Sequence, residues 1–129
     1  MIPKKFTADG DNVNPPLSWV NPPEGTKSFA LIVDDPDTSH GTIHHWLLKD
    51  ISNSTTNIPE GSSAGTGIPN FAGKLAYTGP APPSGVHRYF FKLYALNVGK
   101  LAAKNKDALY KEVEEKKIKK AVYMGRYTR

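Results

Sequence analysis

The most regular pattern in the chain lies at residues 87–96. On a period of two, His87, Tyr89, Phe91, Leu93 and Ala95 share one side, and Arg88, Phe90, Lys92, Tyr94 and Leu96 share the other. That alternation predicts a β-strand whose first side is apolar except at its start, so that His87 and Tyr89 stand together at the mouth of a core. A different pattern occupies Phe29-Ala30-Leu31-Ile32-Val33, an unbroken apolar run of strand length. It predicts a strand covered on both faces. Trp46-Leu47-Leu48 predicts a further strand, with Ile43 as its earliest start. Near the end, Leu109 and Val113, with Tyr110 beside them, form a narrow apolar stripe at helical spacing. A helix from Lys106 to about Lys117 follows, capped by Asn105 or Asp107. Ala121-Val122-Tyr123-Met124 reads as a closing strand, with helix as the alternative.

Between these elements the chain is rich in turn formers. Residues 1–28 carry Asp9-Gly10, Asn14-Pro15-Pro16 and Asn21-Pro22-Pro23, which favour turns and short extended pieces, with Trp19 as a core contact. Lys49 to Lys74 is polar and glycine-rich and predicts a long loop of the kind that often forms a rim or lid. Eleven glycines and eleven prolines in 129 residues favour many short strands over long helices. The expectation is a single domain over residues 1–129, mainly β, an antiparallel sandwich-like fold with one or two short helices near the C-terminus.

Composition narrows the function classes. There is no cysteine, so disulfide and thiolate chemistry are excluded. No apolar run approaches the ~20 residues of a membrane helix, and the first residues lack a signal-peptide core, so a cytoplasmic location is expected. Asn53-Ser54-Thr55 then matches a glycosylation sequon by chance. The net charge of +5 is uneven: residues 1–99 hold 7 basic and 8 acidic side chains, residues 100–129 hold 10 basic and 4 acidic. Acids alternate with lysines in the basic segment, as on a solvated helix face, and base-stacking aromatics are not interleaved. No nucleic-acid partner is expected, while contact with an anionic membrane surface stays open.

Candidate chemistry gathers in two stretches. Asp34-Asp35-Pro36-Asp37-Thr38-Ser39-His40-Gly41-Thr42-Ile43-His44-His45 lies between the two apolar runs, as a loop holding three carboxylates and three imidazoles (His40, His44 and His45). The second is Tyr77-Thr78-Gly79-Pro80-Ala81-Pro82-Pro83-Ser84-Gly85-Val86-His87-Arg88-Tyr89. In extended chain Asp35 and Asp37 face the same way, whereas His44 and His45 face opposite ways, with Trp46 on the side of His44. A carboxylate beside an imidazole favours the imidazolium and fixes which ring nitrogen points outward. The Gly79 turn is able to present bare backbone N–H groups, and Tyr89 a phenolic O–H. Such a socket of donors suits an oxyanion.

Other motifs carry less. Gly61-Ser62-Ser63-Ala64-Gly65 matches a serine-hydrolase elbow, but Pro59 precedes it and Gly67-Ile68-Pro69 follows, so neither the strand nor the helix of an elbow can form. No metal site is expected: His40 and His44 are four apart but Gly41 intervenes, and the remaining spacing fits no zinc pattern. No cofactor is implied.

The two stretches together resemble the phosphatidylethanolamine-binding protein family, through Asp35-Pro36-Asp37 with His45 and through Gly79-x-x-Pro82-Pro83 with Gly85-x-His87-Arg88-Tyr89. The ending Gly125-Arg126-Tyr127-Thr128-Arg129 is similar to that of the short prokaryotic-type members. The resemblance selects His45 over His44 and implies a large antiparallel sheet packed on a smaller one, with a pocket at one end. It implies an anion pocket made of Asp35, Asp37, His45, Gly79, Pro82, Pro83, His87 and Tyr89, with no catalytic residue. Ala81 stands where members often have Gly or Cys. The implied function is non-catalytic binding of phosphate-bearing small anions or phospholipid head groups, with a kinase-inhibitor-like protein partner and a homodimer as further implications. A hydrolase using an Asp–His acid/base pair and a protein-interaction module remain as alternatives.

Overall fold

The structure is a computed structural model, and residues 1–128 are described. A short 3-10 turn at Lys4–Phe6 precedes β1 (Leu17–Ser18), β2 (Ser28–Thr38), β3 (Gly41–Ser52), β4 (Asn57–Ile58), β5 (Thr66–Gly67), β6 (Val86–Leu96), α1 (Lys106–Lys116) and β7 (Lys117–Thr128). Five strands form one antiparallel sheet in the order β5-β3-β2-β6-β7, and β1 pairs with β4 in a small second sheet.

The apolar run in β2 sets the layering. Phe29, Leu31 and Val33 enter a core shared with Trp46, Tyr89, Phe91 and the small sheet's Ile58. Ala30 and Ile32 enter a second core on the opposite face, shared with Leu47, Tyr94, Leu109 and Val113. The first face is thus covered by the small sheet and the N-terminal segment, and the second by α1. Both faces of β2 are buried, as its uninterrupted apolar run requires. The helix ends where the stripe does. Asn105 caps its start by accepting the Ala108 amide at 2.9 Å, while Leu109 and Val113 are its two buried residues.

Several sequence expectations need correction. The acidic and histidine stretch is not a loop but the end of β2 and the start of β3, joined by a tight hairpin at Thr38–Gly41. Strand geometry persists because each buried carboxylate there finds a partner, as described below. The long loop from Lys49 is shorter than expected, since β3 runs to Ser52 and β4 and β5 interrupt the remainder. The closing strand is longer than residues 121–124. It begins directly after α1 and pairs with β6 along its whole length. The ladder satisfies its backbone while its lysines stay in water, so no apolar alternation marks it. Arg129, the last residue of the family-like ending, lies outside the described residues.

Trp46 does not share a face with His44. Val33 pairs with Trp46 but Asp34 pairs with His44, so β3 carries one extra residue, a β-bulge at His45. His44 packs on Tyr110 of the helix layer, whereas His45 and Trp46 both project to the first face, His45 against Tyr89 and Trp46 into the core. Simple alternation fails at that point, and the slip is what delivers His45 to the pocket.

The helix layer yields a direct check. Leu109 is wholly buried against the sheet, so Leu109→Ala is expected to lower unfolding stability by about 2–5 kcal/mol. Urea unfolding followed by circular dichroism reads this as a lower midpoint with an unchanged slope.

Candidate functional site

At the hairpin end of the first face, a cavity of about 350 Å³ opens between β2, β3, β6 and the proline turn. Its wall contains Asp35, Asp37, His45, Pro82, Pro83, His87 and Tyr89, seven of the eight residues expected from the sequence. Ile43, Phe71 and the hairpin tip complete it.

His87 enters from β6 and is held by Asp35 of the neighbouring β2. Its Nδ1 lies 2.6 Å from Asp35 Oδ2, and both side chains are buried. With Nδ1–H donated to the carboxylate, Nε2 is the ring atom left for a ligand. Asp35 is also tied locally, its Oδ1 accepting the Asp37 amide at 2.8 Å. Asp37 sits further out and grips the next residue of β6. It accepts the Arg88 amide at 2.9 Å and, along one edge of the Arg88 guanidinium, Nε–H at 2.8 Å and Nη2–H at 2.7 Å. That guanidinium hydrogen bond pulls the Asp37 carboxyl down to about 2. The two acids therefore clamp β2 to β6 at the cavity mouth. Their oxygens are turned to His87 and Arg88, and the donors face the opening.

His45 enters from the bulge in β3. Its Nδ1 lies 2.6 Å from the Thr78 carbonyl oxygen, which only an N–H can satisfy, so Nε2 is again the outward atom. The ring stands edge-on to Tyr89 at 5.3 Å between centroids and against Phe71 at 5.0 Å. Burial holds its pKa below the ordinary imidazole value, outweighing the Thr78 carbonyl and Asp35, which act in the opposite sense. The expected imidazolium is thereby overturned at this position: the desolvation of a nearly enclosed ring exceeds the pull of a carboxylate that is already committed to His87. Unliganded His45 is neutral near pH 7, with a lone pair on Nε2.

Gly79 also departs from expectation. Its amide donates to Asn12 Oδ1 at 2.7 Å and so is not offered to the cavity. A side chain at this position would meet the Phe6 carbonyl oxygen at 2.5 Å and Asn12 Oδ1 at 2.7 Å. The glycine lets the N-terminal segment lie against the turn that carries Thr78; it is a close-approach glycine and not an anion donor.

Sequence reasoning missed two residues. Phe71 is half exposed yet forms a cavity wall. An aromatic stranded in a polar, glycine-rich stretch was its only signal. Asn70 is buried and makes the junction between β3 and the turn. Its amide nitrogen reaches the His45 carbonyl, the Ala76 carbonyl and Thr78 Oγ1, each at 3.0 Å, while its oxygen accepts the Ala72 and Lys74 amides. No motif marks it. It fixes Thr78, and Thr78 fixes the His45 ring.

Behind the cavity, on the second face, Asp34 is buried against Lys92 at 2.7 Å and accepts the Tyr110 hydroxyl. Among the described residues no group of three or more His, Asp or Glu side chains is placed to hold a metal ion. Among the described residues no helix is long and apolar enough to cross a membrane. A larger cleft, about 700 Å³, lies away from these groups, between the N-terminal residues and β7, with Arg126 on its wall.

Two outcomes follow for the site. Asn70→Ala leaves several buried partners unsatisfied and is expected to cost about 2–3 kcal/mol. In the folded fraction the His45 ring resonances should broaden as its anchor loosens. Burial also lowers the His44 pKa, as it does for His45. Below the ordinary imidazole value the unfolded chain takes up protons that the folded chain refuses, so stability is full at neutral pH and falls as pH drops from about 6.5. Thermal melts in chloride buffers should show that decline, and a His44→Gln/His45→Gln double variant should flatten it.

Comparison with known proteins agrees with this architecture. The family described as phosphatidylethanolamine-binding protein matches residues 1–128. A UPF0098 protein of Aquifex aeolicus is 43% identical over 141 residues, covering 99% of this chain and 81% of its own. A UPF0098 protein of Chlamydia pneumoniae is 42% identical over 135 residues, covering 98% and 89%. A Mycobacterium tuberculosis protein bearing the name lipoprotein LppC is 41% identical over 101 residues, covering 75% of this chain and 50% of its own. Among solved structures, a phosphatidylethanolamine-binding protein homolog of Chlamydia trachomatis superposes with a TM-score of 0.91 at 34% identity, over 99% of this chain and 89% of that one. Escherichia coli YbcL, described as a member of the mammalian family, gives 0.87 at 29% identity, over 96% and 85%. With the whole described fold and both sequence blocks accounted for, this chain belongs to the phosphatidylethanolamine-binding protein family.

Proposed function

We propose that the cavity between His45 and His87 binds the phosphate group of small phosphate-bearing molecules, phospholipid head groups among them, without catalysing their turnover. The observation that carries this reading is the shared orientation of the two imidazoles: each is anchored through Nδ1, and each keeps Nε2 for a ligand in one cavity. Pro82, Pro83, Ile43 and Phe71 supply an apolar collar that would exclude water and strengthen such contacts. Among the described residues no serine hydroxyl is hydrogen-bonded to His45 or His87; Ser39 bonds the hairpin's own His40 at 2.8 Å. The Asp35–His87 pair is the observation that favours the alternative of a hydrolase. A head group presented by a membrane and a soluble phosphate compound share the same recognition chemistry.

Neutral His45 offers a lone pair to an incoming oxyanion, which repels it. Binding therefore requires a proton on Nε2, and the anion in turn stabilises the imidazolium. Affinity should rise as pH falls toward and through the depressed His45 pKa, and binding should be accompanied by proton uptake. Sulfate is the suitable probe because it keeps its charge over that range.

Titration of sulfate at pH 5.5 and 7.5, followed through histidine ring resonances, tests both parts. The expected result is saturable movement of the His45 and His87 signals, at least several-fold tighter binding at the lower pH, and loss of binding in His87→Ala. Rings left unmoved by millimolar sulfate at pH 5.5 would reject the site. Hydrolysis of phosphate or acyl esters that disappears in His45→Ala would favour the hydrolase.

A further inference from the structure

A second cleft, of about 450 Å³, opens on the opposite face of the sheet at the start of α1. His44, Asn70 and Phe71 form one side, and Lys104, Asn105 and Lys106 form the other. His44 is only 8% exposed, and among the described residues its imidazole makes no hydrogen bond; the ring packs edge-on to Tyr110 at 5.3 Å. The His44 ring nitrogens are not sealed from solvent, so this largely buried imidazole keeps its polar atoms free of protein partners where it borders the cleft. Lys104 and Lys106 are exposed and form no ion pair among the described residues. Both flank the N-terminal end of an eleven-residue helix. There the amides of the first turn lack intrahelical acceptors and the helix dipole favours negative charge.

The charges around His44 are mixed but lean positive. Burial and the Lys106 charge disfavour its protonation, Lys92 acts in the same sense, and Asp34 and Asp107 oppose them. Asp34 is already bonded to Lys92 and Tyr110, and Asp107 stands in the helix's first turn. Asp107 offsets part of the helix dipole, but Lys104 and Lys106 remain without an ion-pair partner among the described residues.

We propose that this cleft is a second oxyanion site, taking a phosphate group between Lys104, Lys106 and His44. It is separate from the cavity on the first face, because His44 and His45 project to opposite sides of β3. The two are nevertheless neighbours: Ile43 and Phe71 border both, and the Phe71 amide donates to the His44 carbonyl at 3.0 Å while its ring packs on His45. A molecule bearing two phosphate groups would have an anion site on each side of Phe71.

The test uses the full chain with inorganic phosphate, and in parallel with bicelles containing phosphatidic acid, against sodium chloride at equal ionic strength. The expected result is saturable movement of the His44 ring and of the amides of residues 105–107 with at least one of the two probes; which one responds identifies a soluble or a membrane source. Lys104→Glu/Lys106→Glu should weaken that response about tenfold or more while the His45 and His87 signals respond as in the parent. The variant lies on an exposed surface, so its fold is expected to survive. His44 and residues 105–107 unmoved by both probes, or an undiminished response in the double variant, would overturn the proposal. A failure of the first-face cavity would show instead at His45 and His87, so the two readings are separable.

Discussion

Two consecutive carboxylates, Asp34 and Asp35, are buried on opposite faces of the central strand, and each must be given a partner on its own face. A buried, unpaired carboxylate is costly enough that the fold would otherwise be abandoned or the group neutralised. On the first face Asp35 is met by His87; on the second Asp34 is met by Lys92 and Tyr110. All three partners come from β6 and α1, so the same requirement that keeps β2 regular also fixes the sheet's register and docks the helix. The cavity is a consequence: the Asp35–His87 pair stops the apolar core short of the hairpin and leaves an opening lined by polar atoms.

The second determinant is the slip in β3. A regular strand that kept Trp46 in the first core would place His45 on the helix side and bring His44 to the first face in its stead. One extra residue turns it, and the surrounding groups then hold it from three directions: the Thr78 carbonyl at Nδ1, Phe71 and Tyr89 at the ring faces and edges. Asn70 joins these supports to the backbone of His45 itself. The two imidazoles are held differently. His87 leans on a charged partner and His45 on a neutral carbonyl in a dry setting, so the pair presents unequal nitrogens to whatever enters.

Much of this was legible in the chain. The run Phe29–Val33, the alternation from His87 and the stripe at Leu109 and Val113 gave the two-faced central strand, the site-bearing strand and the helix at close to their observed positions. The family blocks brought seven wall residues together. What escaped had physical reasons. Acids usually mark solvent, and the partners that allow these two to be buried lie more than fifty residues away in the chain. The bulge breaks the periodicity on which face assignment rests. The Gly79 amide is occupied by Asn12, from a turn far off in sequence, and nothing local to Gly79 marks that partner. Phe71 and Asn70 belong to a stretch without periodicity, where neither burial nor bonding is visible before folding. At His45 the nearby carboxylate is visible in the chain, whereas the loss of water that outweighs it exists only in the folded protein.

The central claim is that both outward ring nitrogens serve one oxyanion. A crystal structure determined from sulfate-containing solution at pH 5.5 tests it most directly. The account predicts an ion in the first-face cavity within hydrogen-bond distance of Nε2 of both His45 and His87, with both Nδ1 contacts retained. Only water between these two rings, in crystals where sulfate is ordered elsewhere on the molecule, would contradict it.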